Sequence, residues 1–262
     1  MGEFNPQEYW ESRLNKHFNL NGVGDIGLGA NYNKALYNVR RYAFKRIVSS
    51  LKVDFSTSSI LDVGSGTGFY IERWNELGVK SISGSDITEV VVNNLSKKYN
   101  YANFRQLDIG EELKDPIGKF DFISAFDVLF HIVDDSRFER AITNIASSLN
   151  EQGYFIISDN FVRRGEIRVR HQVSRSEDYM SKVIGEKGFK LVKTIPMFIL
   201  MNTPIDSENR ILWKFNQIRE ALIHKGEFYG SIFGNVLKPI EKTLISLMNE
   251  SPSTEIRLYR KE

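Results

Sequence analysis

The stretch Ile60-Leu61-Asp62-Val63-Gly64-Ser65-Gly66-Thr67-Gly68-Phe69 carries the densest chemical signal in the 262-residue chain. An apolar run enters three glycines at alternate positions, and a helical pattern follows. Glycine there lets the backbone turn sharply and lets a ligand lie against bare main chain. A strand-to-helix turn also aims free N–H groups and the positive helix end at a bound group. An acid follows each of the next four apolar runs: Asp86, Asp108, Asp127 and Asp159. A carboxylate accepts from paired hydroxyls, so Asp86 suits a ribose diol. Of the four histidines, His17, His131, His171 and His224, two are candidate bases. His131 follows the fourth run and is the first candidate; His171 lies after the fifth and is the second. Asp127, Asp159 and Asn160 form an alternative set of oxygen ligands for one hard cation. The reading adopted has no metal, with Asp127 capping or hydrogen-bonding locally.

These residues need elements to hold them. Apolar runs at 59–63, 81–85, 104–107, 120–126 and 154–158 alternate with helical patterns near 70–77, 89–99 and 138–149. That alternation predicts right-handed βαβ units and a parallel sheet. Runs at 189–195 and 255–260 bring the strands to seven. In such a sheet ligands bind beyond the carboxyl ends of the strands, where the glycines and acids fall. The glycine-rich 22–29 segment has no strand before it and reads as a connection into a helix over about 34–51. Between the last two strands, 206–249 holds helical patterns at 207–225 and 232–249, with Trp213, Phe215, Ile218 and Leu222 at roughly helical spacing. So long a connection is usually functional, here a substrate cap or a dimer face. The expected organisation is an N-terminal helical lid (1–52), a core (53–200 and 252–262) and a helical insertion (206–249).

The glycine spacing sorts the ligands. A dinucleotide fingerprint wants a third glycine where Phe69 stands, and a phosphate loop wants Gly-Lys-Ser/Thr. Asp62-Val63-Gly64-Ser65-Gly66-Thr67-Gly68 instead resembles the first motif of the class I S-adenosylmethionine-dependent methyltransferases. The resemblance runs from about Phe55 to Asn160 and takes in Phe126-Asp127-Val128-Leu129-Phe130-His131 and Gly153-Tyr154-Phe155-Ile156-Ile157. It implies an α/β fold: a Rossmann-like, seven-stranded, mostly parallel sheet with the last strand antiparallel and helices on both faces. It implies S-adenosyl-L-methionine as cofactor, with Asp62, Gly64, Ser65, Gly66, Gly68, Asp86, Ile87, Asp108, Ile109, Phe126 and Asp127 around it. Asp86 would hold the ribose, Ile87 would pack on adenine, and Asp108 would meet the adenine amino group. The metal alternative is similar to the magnesium site of catechol-type O-methyltransferases. The N-terminal segment would lid the cofactor and shape the substrate pocket.

What remains narrows the acceptor. A net charge of +2 is too close to neutral for nucleic acid as main partner, and no Asp/Asn-Pro-Pro-aromatic segment follows the fourth strand. The absence of cysteine excludes disulfides and a thiolate nucleophile. No apolar run is long enough to span a bilayer and no leader pattern is visible, so a cytoplasmic protein with no membrane partner is expected. Arg163, Arg164, Arg168, Arg170 and Arg175 cluster after the fifth strand. Arginine binds phosphate and carboxylate bidentately, which would suit a phosphorylated or sugar- or nucleotide-linked metabolite. The alternative, slightly favoured, is a solvated basic loop or edge strand. Tyr32, Phe130, Arg168 and Arg170 are the substrate-binding candidates; Tyr9, Trp10 and Tyr37 are further pocket aromatics. The expected activity is methyl transfer to a hydroxyl of a small molecule. The alternatives are N-methylation of a small amine or amide, or cofactor binding without catalysis.

Overall fold

The computed structural model describes residues 4–262, so the first three residues of the 1–52 segment lie outside the described residues. Helices α1 (Pro6–Lys16), α2 (Leu20–Val23) and α3 (Gly29–Val48) lead into strand β1 (Ser59–Val63). Then come α4 (Phe69–Glu76), β2 (Ser81–Asp86), α5 (Glu89–Lys98), β3 (Ala102–Gln106), β4 (Phe120–Phe126), α6 (Asp135–Ser148) and β5 (Leu149–Asp159). A hairpin of β6 (Ile167–Val169) and β7 (Gln172–Ser174) is followed by α7 (Glu177–Gly185) and β8 (Phe189–Pro196). Helices α8 (Arg210–Ile223) and α9 (Glu227–Leu247) precede β9 (Glu255–Lys261). The seven-stranded sheet has the order β3-β2-β1-β4-β5-β9-β8. Only β9 runs against its neighbours, pairing antiparallel with both β5 and β8. The expected fold class is the one observed.

Strand pleating divides the core into two layers, because successive side chains point to opposite faces. Ile60 and Phe122 pack with Phe44, Ile71 and Trp74 on one face. Leu61 and Ile123 pack with Phe138, Ile142 and Ile184 on the other. In α6, Phe138, Ala141, Ile142 and Ile145 are buried at three- and four-residue spacing, and Asp134 caps the helix by accepting from the Arg137 N–H at 2.8 Å.

Three departures from the sequence reading have physical causes. Helix α3 starts at Gly29 rather than near 34 because Glu227 of α9 accepts from the Ala30 and Asn31 N–H groups at 2.6 and 2.8 Å. That cap comes from 196 residues away and leaves no local trace. The arginine-rich connection contains a small hairpin, and α7 follows it on a Ser176 cap that accepts from Tyr179 N–H at 3.3 Å. The insertion packs α9 along α3 at Gly230 and Gly234, and among the described residues none of it lines the main cavity. A Cβ on Gly234 would fall 2.7 Å from the Ala35 Cβ, so only glycine permits this approach.

Gly234→Val should therefore destabilise the fold by about 1–3 kcal/mol in denaturant melts, since backbone must move to admit the side chain. Gly185→Val, where nothing lies within 4 Å of the added Cβ, should change stability by less than about 0.5 kcal/mol. Equal effects would contradict the account of the α3–α9 contact.

Candidate functional site

A cavity of about 320 Å³ opens at the carboxyl ends of β1 to β4, within the usual range for small-molecule sites. Its floor is the glycine loop. The Ser65 N–H donates to the Ser85 carbonyl at 2.9 Å and the Gly68 N–H to the Ser65 carbonyl at 2.8 Å. Gly64 has φ +69°, and a Cβ there would lie 2.3 Å from the Val128 side chain. The loop after β1 and the loop after β4 thus meet across bare backbone.

Asp86 ends β2 and is 7% exposed. One carboxylate oxygen accepts from the Gly66 N–H at 3.0 Å. The other accepts from the Thr88 N–H and hydroxyl at 3.0 and 2.8 Å. Burial raises its pKa, and these three donors oppose the rise. A carboxylate has about four acceptor positions, so one remains for a ligand hydroxyl. Ile87, Leu107 and Ile109 supply apolar walls beside it. Asp108 also lines the cavity but is already engaged: it accepts from the Gly110 N–H at 2.9 Å and pairs with Arg137 at 2.5 Å.

Asp127 follows β4 with φ +58°, a left-handed conformation that aspartate tolerates better than most residues but that still stores strain. The Ser158 hydroxyl holds it, accepting from the Asp127 N–H and donating to its carboxylate, both at 2.9 Å. Arg40 of α3 forms an ion pair with the same carboxylate. Tyr70, in the first turn of α4, stacks on Phe126 with ring centroids 3.7 Å apart. Among the described residues, the Tyr70 hydroxyl and Thr67 Oγ1 are buried without hydrogen-bond partners, and both belong to residues of the cavity wall.

His131 lines the cavity too. Its Nδ1 lies 2.9 Å from the His171 carbonyl oxygen, which can only accept, so Nδ1 carries the proton and Nε2 keeps its lone pair. Burial lowers the pKa from 6.5 to about 4, with the charges of His171 and Arg13 adding to the fall against the bond to His171. The roof is α1: Trp10 meets the His131 ring edge-on at 5.0 Å, with Leu14, Phe4 and Pro6 beside it.

Of the residues singled out in the sequence, Gly64, Ser65, Gly66, Asp86, Ile87, Asp108, Ile109, Phe126, Asp127 and His131 line the cavity, as do Trp10 and Tyr37. Several others do not. Asp62 lies beneath the loop and accepts from Ser124 Oγ at 2.6 Å, with burial raising its pKa to about 7. Gly68 caps α4 and abuts Tyr99. Tyr32 is fully buried and donates to the Met201 carbonyl at 2.9 Å. Phe130 packs against His131 from outside, and the His171 ring stacks between Tyr9 and His131. Arg168 is spent on Asp135, Glu166 and the Val133 carbonyl, while Arg170 sits in a shallow outer cleft with Tyr9 and His171. Of the set Asp127, Asp159 and Asn160, Asp127 is paired with Arg40, and the Asn160 amide is bonded at both ends, to Ser174 and Thr254 at 3.1 and 3.0 Å. Among the described residues no group of three or more His, Cys, Asp or Glu is arranged to hold a metal.

Sequence reasoning missed Arg40, Tyr70 and Arg137. Tyr37, Arg40 and Phe44 recur at helical spacing, which places them on one side of α3, but nothing local says that this side meets Asp127. Tyr70 was legible in principle, since the first turn after a glycine loop faces the ligand.

Gly64→Ala tests the floor. It should cost about 1–3 kcal/mol of stability, from the left-handed φ and the clash with Val128 together. Gly78→Ala, with φ +75° and nothing within 4 Å, isolates the backbone cost alone. Thermal melts that rank Gly78→Ala as the worse of the two would contradict the close approach.

A methyltransferase-domain family model matches residues 35–190. Ribosomal protein L11 methyltransferase of Staphylococcus haemolyticus (strain JCSC1435) is 37% identical over 108 residues, which is 39% of this chain and 32% of that protein. The chain thus spans about a third of that relative's length. Among solved structures, magnesium protoporphyrin IX methyltransferase from Synechocystis PCC 6803 with S-adenosylmethionine bound superposes with a TM-score of 0.60 at 16% identity, over 100% of both chains. N-methyltransferase NodS from Bradyrhizobium japonicum WM9, in complex with S-adenosyl-L-homocysteine, gives 0.58 at 14% identity over 98% of this chain and 99% of that one. At such identities these likenesses speak to the fold. The family match covers more than half of the chain and includes the whole glycine loop and each acid of the cavity wall, so the chain belongs to the class I S-adenosylmethionine-dependent methyltransferase family.

Proposed function

We propose that the chain transfers a methyl group from S-adenosylmethionine to the hydroxyl of a small, uncharged acceptor, with His131 as the general base. Asp86 would accept from a ribose hydroxyl, Ile87 and Ile109 would flank the adenine, and the Gly64 to Gly66 backbone would hold the rest of the cofactor. When bound, S-adenosylmethionine supplies an electrophilic methyl on its sulfonium. The chain's part is then to align the acceptor, exclude water and take one proton.

The observation that carries the oxygen reading is the tautomer of His131, with Nδ1 on the His171 carbonyl and Nε2 free at a cavity wall. Because the lowered pKa leaves the ring neutral at pH 7, the lone pair is available; because its conjugate acid is strong, the base suits an acidic hydroxyl, phenolic or enolic, better than an alkyl one. Among the described residues Arg137 is the one arginine of the cavity wall, and its pairing with Asp108 argues against an anionic acceptor. The α1 roof favours a small molecule over a folded protein, although the curated relative is named for a ribosomal protein. The same weak base supports a second reading, methylation of an amine, whose nitrogen needs less help.

Methyl-labelled S-adenosylmethionine, incubated with the chain and a fractionated cell extract, should label the small-molecule fraction; label confined to protein would overturn the acceptor class. With the labelled fraction as substrate, His131→Ala should lower transfer by about 10²–10⁴-fold. The ring is neutral above its pKa and protonated below it, so the acid limb of kcat/KM should fall near pH 4, not near 6.5. Full turnover by His131→Ala would end the role of base and favour the amine.

A further inference from the structure

Helix α9 is apolar on two sides. Its inner side, at Gly230, Gly234, Leu237 and Ile245, is buried. Its outer side carries Phe228, Ile232, Val236 and Ile240, which are 71%, 44%, 57% and 44% exposed. Four-residue spacing puts them on one slowly turning stripe, and Leu247, 75% exposed, extends it. On α8, Ile211 and Ile218 stand seven apart, hence on one face, and are 82% and 51% exposed. An exposed apolar stripe such as that of α9 marks a contact.

Charge says what kind of contact. The two acids of α9 are both engaged by backbone N–H groups. Glu241 is fully buried on the N–H groups of Ile199, Leu200 and Met201, and Glu227 caps α3. Lys238 and Lys242 remain on the α3 side of the stripe, with Lys242 over the Tyr42 ring at 5.6 Å. Helix α3 carries Lys34, Arg40, Arg41, Lys45 and Arg46 and no acid, and Lys34 and Lys45 are exposed. A second copy would set lysine against lysine, with no free carboxylate on either helix to answer it. An apolar stripe bordered by lysines is instead the pattern of a helix lying in the interface of an anionic bilayer.

We propose that the outer face of α9 docks the protein peripherally on anionic phospholipid, with the stripe at the acyl boundary and the lysines of α9 and α3 on the headgroup phosphates. Among the described residues no helix is long and apolar enough to cross a membrane, so the contact is superficial. The expectation of no membrane partner considered spanning segments alone and left this surface unread. The proposal stands on the fold and is independent of which acceptor the cavity takes.

Co-sedimentation of the whole chain with vesicles tests it. Vesicles of phosphatidylcholine with phosphatidylglycerol should pellet the protein, pure phosphatidylcholine far less, and added salt should release it. Ile232→Glu with Val236→Glu, both at exposed positions, should cut binding by about tenfold or more while circular dichroism and S-adenosylmethionine binding stay unchanged. No pelleting by the unaltered chain on anionic vesicles, or equal pelleting by the variant, would overturn the proposal. A concentration-dependent dimer that the variant loses, without vesicle binding, would give the face to a second copy. Vesicle binding without S-adenosylmethionine binding would sink the functional reading and leave this one standing.

Discussion

Asp86 accepts from the Gly66 N–H with one carboxylate oxygen and from Thr88 with the other, so a single buried charge fixes both the loop after β1 and the entry to α5. Isolated, that charge would be costly to bury; hydrogen bonds to a charged group contribute about 1.5–3 kcal/mol each, and three of them offset the penalty. The geometry of the cavity floor follows. With Gly66 tied to β2, Gly64 is held against Val128, and the β1 and β4 loops close on each other. The one acceptor position left on Asp86 is then presented at a fixed place beside the apolar walls of Ile87 and Ile109.

Two of the other acids at the cavity are neutralised in pairs, while Asp134 is held by the Arg137 N–H and the Ser136 hydroxyl. Arg40 answers Asp127 and Arg137 answers Asp108. What the protein leaves over is a histidine lone pair, two unpartnered hydroxyls and aromatic faces. Such a set recognises shape and hydrogen bonding more than net charge. Both flanking segments serve this arrangement from outside. The hairpin of β6 and β7 supplies the carbonyl that sets the His131 tautomer, and α9 braces α3, which delivers Arg40 and Tyr37.

The sheet was legible because its signals are local. Alternating apolar runs, glycines at strand ends and an acid after each run all fall within a few residues of what they specify. The glycine-loop end of the cavity was legible for the same reason, from Gly64 through Ile109. The end around Asp127 and His131 was not, because long-range contacts decide it. Arg40 reaches Asp127 across 87 residues, Glu227 caps α3 across 196, and His171 acts through its backbone rather than its imidazole. The arginine cluster left two readings open because a charge run does not reveal its partners. Asp135, Glu166, Asp206 and Glu255 consume most of it, and the hairpin that results is nearer the edge-strand reading.

Isothermal calorimetry of S-adenosylmethionine binding to the unaltered chain and to Asp86→Asn tests the central claim most directly. The account predicts saturable one-to-one binding by the unaltered chain. It predicts affinity weaker by roughly tenfold or more in the variant, whose amide keeps the shape but loses the charge and one acceptor. No binding by the unaltered chain, or equal affinity in a folded Asp86→Asn, would contradict it.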